Sequence, residues 1–193
     1  MAIMALLGAM LLLPTAASAY GDPTEVFAAA GQGQLHGDVS SHGPGFPVFS
    51  LHSRKVPRRR LTMFGPVERT RVGIGIDVLS AQFRINSTPF PFDEGNYVNI
   101  VGLYLTPTTC FYSHTDYRVC LGIGLGSLNL SSKDNRQQYG SWNFQIDLHH
   151  QFMPDFFVKA IWKSIGDISQ RVAGRPASFG LQTFSVGIGF YYY

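Results

Sequence analysis

The stretch from Phe184 to Tyr193 reads F-S-V-G-I-G-F-Y-Y-Y. At the period of a β-strand, Phe184, Val186, Ile188, Phe190 and Tyr192 share one face, and Ser185, Gly187, Gly189 and Tyr191 share the other. One face is wholly apolar or aromatic, whereas the other is small and polar. A soluble domain buries such a face and follows it with a turn or a polar tail. Here the alternation runs into aromatics instead. That pattern fits a strand whose apolar side meets acyl chains, whose glycines face a narrow lumen, and whose aromatics lie at the membrane interface.

The other end of the chain points to export. Met1 to Leu13 is almost entirely apolar, Pro14 follows, and Ala17-Ser18-Ala19 supplies a small-x-small cleavage pattern, although no Lys or Arg precedes the apolar run. Residues 1–19 are therefore read as a signal peptide and 20–193 as one domain. No later segment approaches the roughly 20 apolar residues of a membrane helix, so any span must be made of strands.

Alternation between these ends predicts eight strands. The first two, Glu25 to His36 and Val48 to Lys55, are weakly patterned, with Phe49 and Leu51 on the lipid side of the second. The third lies within Glu68 to Arg84, where Val72, Ile74, Ile76 and Val78 oppose Arg71, Gly73, Gly75 and Asp77. Tyr97 to Tyr112 forms the fourth. In the fifth, Tyr117 to Leu130, an outward set from Tyr117 to Leu125 opposes Arg118, Cys120 and three glycines. Ser141 to Phe152 is the sixth, Phe156 to Ile165 the seventh, and the closing stretch the eighth. Loops are expected at 37–47, 86–95, 131–140 and 166–180, and turns at 56–66, 113–116 and 153–155.

The closing stretch resembles that of small bacterial outer-membrane β-barrels, the group that includes the transmembrane domain of outer-membrane protein A. Their last strand carries a polar-x-Gly-x-x-aromatic-x-aromatic signal that the barrel assembly machinery reads. Ser185, Gly187, Phe190 and Tyr192 match it, and Tyr193 is one residue extra. The resemblance implies an all-β, antiparallel up-and-down transmembrane barrel in the outer membrane, with both termini in the periplasm and the longer loops outside. It implies a role in membrane integrity or surface interaction, carried out by a monomer among membrane lipids and lipopolysaccharide. A narrow passive channel and a lipid A-modifying enzyme are the alternatives. The deacylase barrels carry a His-x-Ser pair and the palmitoyltransferase barrels an Asp-Ser pair; neither dipeptide pattern occurs here.

Several side chains invite a chemical reading. Asn143, Gln145, Asp147, His149 and Gln151 share the polar face of strand six. A three-residue turn at 153–155 sets His149 beside Lys159 and Gln145 beside Lys163, with Asp147 diagonal to both lysines. With Arg118 these form a predicted luminal network; Asp147 and His149, two residues apart on one face, are also the candidate acid/base pair. An eight-stranded lumen is only wide enough for side chains, so charges inside it must be paired. Cys110 and Cys120 fall directly opposite across a five-residue turn. As the only two cysteines of an exported chain, they are expected to form a disulfide. His36, His42 and His52 with Asp38 match no metal-site spacing, and no metal or other cofactor is expected.

Charge is uneven along the chain. Between Arg54 and Arg71 lie seven of the fifteen basic residues with one acid, Glu68, and the remainder nets −3 against +3 overall. For an exported barrel, Arg54, Lys55, Arg58, Arg59 and Arg60 are expected to contact anionic lipid headgroups and not nucleic acid.

Overall fold

The computed structural model describes residues 23–37, 45–55, 70–84, 97–112, 116–132, 136–172 and 175–192. They form one closed antiparallel barrel in chain order: β1 (Thr24–Gly37), β2 (Phe46–Lys55), β3 (Thr70–Arg84), β4 (Tyr97–Tyr112), β5 (Tyr117–Ser131), β6 (Arg136–Met153), β7 (Phe156–Val172) and β8 (Arg175–Tyr192). The closing seam pairs β1 with β8, from Thr24 opposite Tyr192 to Gly37 opposite Phe179. Full closure removes the free strand edges that an open sheet would present. Residues 1–19, and with them the expected signal peptide, lie outside the described residues.

Parity holds along the apolar stretches of β8 and β5. On β8, Phe184, Val186 and Ile188 are 57%, 55% and 59% exposed, whereas Thr183 and Ser185 are buried. On β5, Leu121, Ile123 and Leu125 face out while Cys120, Gly122 and Gly124 face in. The glycines make room for neighbours: a methyl group on Gly124 would lie 2.6 Å from Thr106 Oγ1 and 2.7 Å from the Asn143 amide. The Tyr104 ring covers Gly102 in the same way, 2.7 Å from where a side chain would begin.

Two expected loops are mostly strand. β6 begins at Arg136 and β7 continues to Val172, with β8 starting at Arg175, so 131–140 and 166–180 shrink to connections at 132–135 and 173–174. Hairpin hydrogen bonds continue there, with Ser131 opposite Arg136 and Val172 opposite Arg175, although apolar alternation has stopped. A ladder needs paired backbone, not a lipid-facing side chain. The connection 56–69 is the longest between strands and lies at the end that carries both termini, so loop length does not distinguish the two ends.

Alternation stops there because the polarity of the wall reverses partway up. In the half nearer the termini, the proximal half, the outer face is apolar and the lumen largely polar, with one small apolar cluster of Phe27, Ala29, Phe157 and Ile161. In the distal half the lumen is filled by Leu35, Phe46, Val48, Leu79, Phe83, Val98, Ile100, Leu128, Leu130, Ile165, Phe179 and Leu181. The outer face there carries Gln32, Ser80, Gln82, Asn99 and Gln182. The crossover falls at Val78–Leu79–Ser80 on β3, near Leu125 to Leu128 on β5, and at Leu181 to Phe184 on β8. Among the described residues, the charged side chains of the lumen all lie in the proximal half.

Cys110 and Cys120 are opposite each other with Cα atoms 4.0 Å apart and their sulfurs bonded. Thiol titration of the unfolded, non-reduced protein should find no free thiol; two would exclude the bond. Ile188 lies midway along the apolar stretch of β8. Ile188→Arg should lower stability in lipid vesicles by about 2–4 kcal/mol, whereas Gln182→Arg, beyond that stretch, should change it by less than about 0.5 kcal/mol. Equal losses in urea unfolding would mean that lipid reaches both positions.

Candidate functional site

Among the described residues the chemically richest place is the proximal lumen. Three buried acids lie there, Glu25 on β1, Asp77 on β3 and Asp147 on β6, with four buried cations, Arg54, Arg118, Lys159 and Lys163. Each acid meets a cation on the strand diametrically across the barrel. Glu25 binds Arg118 on β5, Asp77 faces Lys163 Nζ on β7 at 3.6 Å, and Asp147 holds Arg54 Nη1 of β2 at 2.7 Å. In a ring of eight strands these are the pairs 1–5, 3–7 and 2–6. Charges this deep are stable only when neutralised and hydrogen-bonded, and a narrow lumen lets opposite walls supply the partners.

Smaller contacts complete the arrangement. Lys159 Nζ donates to Glu25 at 2.7 Å and lies 4.2 Å from the centre of the Phe27 ring. Asp77 accepts from Thr106 Oγ1 at 2.6 Å and also contacts His52 Nδ1. In the orientation its neighbours dictate, the Gln145 amide donates to Asp77 at 3.1 Å and accepts from Arg54 at 2.7 Å, joining two of the pairs. His149 lies 2.9 Å from Arg118 Nη2 and 3.0 Å from the Tyr191 hydroxyl, and its ring stacks on Phe157.

The register agrees with the sequence reading, because His149 lies opposite Lys159 and Gln145 opposite Lys163. A bulge between Gln151 and Met153, next to the turn at Pro154-Asp155, produces it. The ion pairs differ. Asp147 does not serve the two lysines; it holds Arg54, while Lys159 and Lys163 go to Glu25 and Asp77. Arg54 is correspondingly not a headgroup contact. It is 1% exposed, because the parity that puts Phe49 and Leu51 outside puts residue 54 inside. Lys55 is partly exposed at the strand end. Arg58, Arg59 and Arg60 lie outside the described residues, as do Asp38 and His42. Glu25, His52, Asp77 and Thr106 were missed as network members. Inward parity marks each of them, but which walls meet across the lumen depends on strand tilt, which no single strand's pattern contains.

The same geometry bears on catalysis. In a nucleophilic triad the hydroxyl must contact the base; here the Thr106 hydroxyl and His52 both contact the Asp77 carboxylate, so Thr106 donates to the acid and is not activated. Asp147 and His149 point at different partners and do not form an acid/base couple. Among the described residues no group of three or more His, Cys, Asp or Glu side chains is placed to hold a metal ion.

Removing the Asp147 carboxylate should strand Arg54. Asp147→Ala is expected to lose about 3 kcal/mol, as when one partner of a buried ion pair is deleted. Adding Arg54→Met should recover much of that loss, whereas Lys159→Ala with Lys163→Ala should deepen it, since those lysines balance other acids. Urea unfolding of the three variants and the parent in lipid reads the difference. Rescue by the lysine changes and not by Arg54→Met would contradict the 2–6 pairing.

No protein-family model matches the sequence, and no curated protein matches it either. Solved structures do match the fold. Neisserial surface protein A aligns with a TM-score of 0.61 at 12% identity, over 86% of this chain and 96% of its own. Ail, the attachment invasion locus protein of Yersinia pestis, in complex with the heparin analogue sucrose octasulfate, aligns at 0.54 and 12% identity, over 89% and 99%. The N-terminal β-barrel domain of Pseudomonas aeruginosa OprF aligns at 0.50 and 15% identity, over 89% and 98%. With all its described strands in one closed ring, the chain has the fold of the small eight-stranded outer-membrane barrels.

Proposed function

We propose that the protein is a non-enzymatic outer-membrane barrel whose work is done by its distal rim and loops on the cell surface. The observation that carries this reading is the pairing of each described luminal acid with a cation across the barrel. Glu25, Asp77 and Asp147 are each committed to a cation on the opposite wall, so the polar interior is a brace for the wall. The apolar filling of the distal lumen argues against the channel alternative, because a polar solute would have to cross a layer lined by Leu, Phe, Val and Ile. The sequence patterns of the lipid A enzymes are missing and the Thr106 hydroxyl, beside Asp77 and His52, is not activated as a nucleophile, which counts against the enzyme alternative.

In this reading residues 1–19 direct export, and the barrel assembly machinery recognises Ser185, Gly187, Phe190 and Tyr192. The proximal end faces the periplasm, where Lys55 with Arg58, Arg59 and Arg60 meets anionic phospholipid headgroups. The distal end faces lipopolysaccharide and the medium. The barrel works as a monomer. The likeness to Ail supports a surface role by fold alone, at 12% identity.

Membrane fractionation and gel mobility test the placement. The mature protein should pellet with the outer membrane and migrate faster unheated than boiled, and recovery as soluble periplasmic protein would overturn the reading. Lipid A mass spectra from cells with and without the protein should be identical; a changed acylation pattern would make it an enzyme.

A further inference from the structure

The outer face of the distal half has a composition that exposure to water does not explain. Soluble surfaces carry roughly 25–35% Lys, Arg, Glu and Asp, with both signs interspersed. Here the described outward side chains just past the apolar belt include Gln32 and Gln34 on β1, Gln82 on β3, Asn99 on β4, Asn129 on β5, Gln138 on β6 and Gln182 on β8. Arg84 and Arg136 are the only outward charges described on these distal segments, and no acid is among them.

The carboxamides are also paired across strands. Gln34 lies opposite Gln182, Gln82 opposite Asn99, and Asn129 opposite Gln138. Gln82 Nε2 donates to Asn99 Oδ1 at 2.9 Å. Serines at 80, 127, 131 and 164 add hydroxyls to the same wall, and Pro47 interrupts it on β2. The pairs begin where the apolar belt ends: Gln182 is the next outward residue after Phe184, and Asn99 the next after Val101. One outward step along a strand is roughly 7 Å, so the pairs fall in the headgroup layer above a bilayer whose acyl region meets the belt.

We propose that these carboxamide pairs form a collar that binds the uncharged hydroxyls of sugar headgroups on the lipids around the barrel. This rests on the outer-membrane reading above. Each carboxamide offers two donors and an acceptor, and a sugar hydroxyl is donor and acceptor at once. Cross-strand pairs set such groups side by side on a rigid wall at the spacing of neighbouring strands. Among the described outward side chains the scarcity of charge fits a hydroxyl partner better than a phosphate, which would call for Arg or Lys. Continuity with the lipid-facing belt favours a lipid headgroup over a free saccharide.

The protein is reconstituted into vesicles holding equal parts of phosphatidylcholine and an uncharged diglucosyl diacylglycerol with the same acyl chains. After gentle extraction, mass spectrometry quantifies the lipids that remain bound. The parent should retain the sugar lipid about fivefold over phosphatidylcholine, in line with one or two net hydrogen bonds. A variant carrying Gln34→Ala, Gln82→Ala, Asn99→Ala, Asn129→Ala, Gln138→Ala and Gln182→Ala should retain both lipids equally. Arg84→Gln with Arg136→Gln should keep the preference; its loss there would assign recognition to charge and overturn the proposal. A parent that inserts, shows the heat-dependent mobility shift and retains both lipids equally refutes the collar alone, and needs no variant to fold. A parent that does not enter bilayers refutes the outer-membrane reading as well.

Discussion

Charge cannot remain alone inside a membrane-spanning barrel, and here the neutralising partner sits on the far wall. Neighbouring strands already share backbone hydrogen bonds, so a salt bridge between them would add little to the ring's shape. Glu25 with Arg118, Asp77 with Lys163 and Arg54 with Asp147 instead span the diameter and resist flattening of the cross-section. Their geometry needs a lumen of eight strands. The glycines at 122 and 124 matter for the same reason, since a side chain there would meet Thr106, Thr108, Asn143 or Gln145.

The fold was legible because lipid enforces alternation where it touches the wall. Phe184 to Tyr192, Tyr117 to Leu125 and Trp142 to Leu148 each announce a strand and its outward face. Where lipid stops, the signal stops: Arg136 to Gly140 and Ile168 to Val172 are paired strand that reads as loop. The β6–β7 register was legible, since His149 and Gln145 meet their lysines across the hairpin. The ion pairs were not, because hairpin register relates adjacent strands and says nothing of opposite ones. Arg54 illustrates a different failure. Its position inside a basic run suggested a surface role, although the parity of Phe49 and Leu51 already turned it inward.

The two halves of the barrel rest on different physics. In the proximal half the bilayer solvates the outside, and ion-paired charges occupy much of the inside. In the distal half Leu, Phe, Val and Ile pack inside as in a soluble protein. The hydrophobic effect acts mainly on the second interior, since the first has only the small apolar cluster of Phe27, Ala29, Phe157 and Ile161 among its charges. Distal stability should therefore carry the temperature and denaturant dependence of a water-soluble core, and proximal stability that of an ion-paired one.

The separation in sequence of the contacts that brace the lumen has a consequence for how the chain assembles. Cys110 and Cys120 are 10 residues apart and belong to one hairpin, so they meet early and locally. Glu25 and Arg118 are 93 residues apart, and Glu25 and Lys159 are 134 apart. Until β1 and β8 join, Glu25 lies far from its partners, and a partial sheet entering the membrane would expose single charges to hydrocarbon. Insertion before closure is thus penalised by the same side chains that later stabilise the ring, and the barrel's own interior selects against premature release from whatever holds its edges.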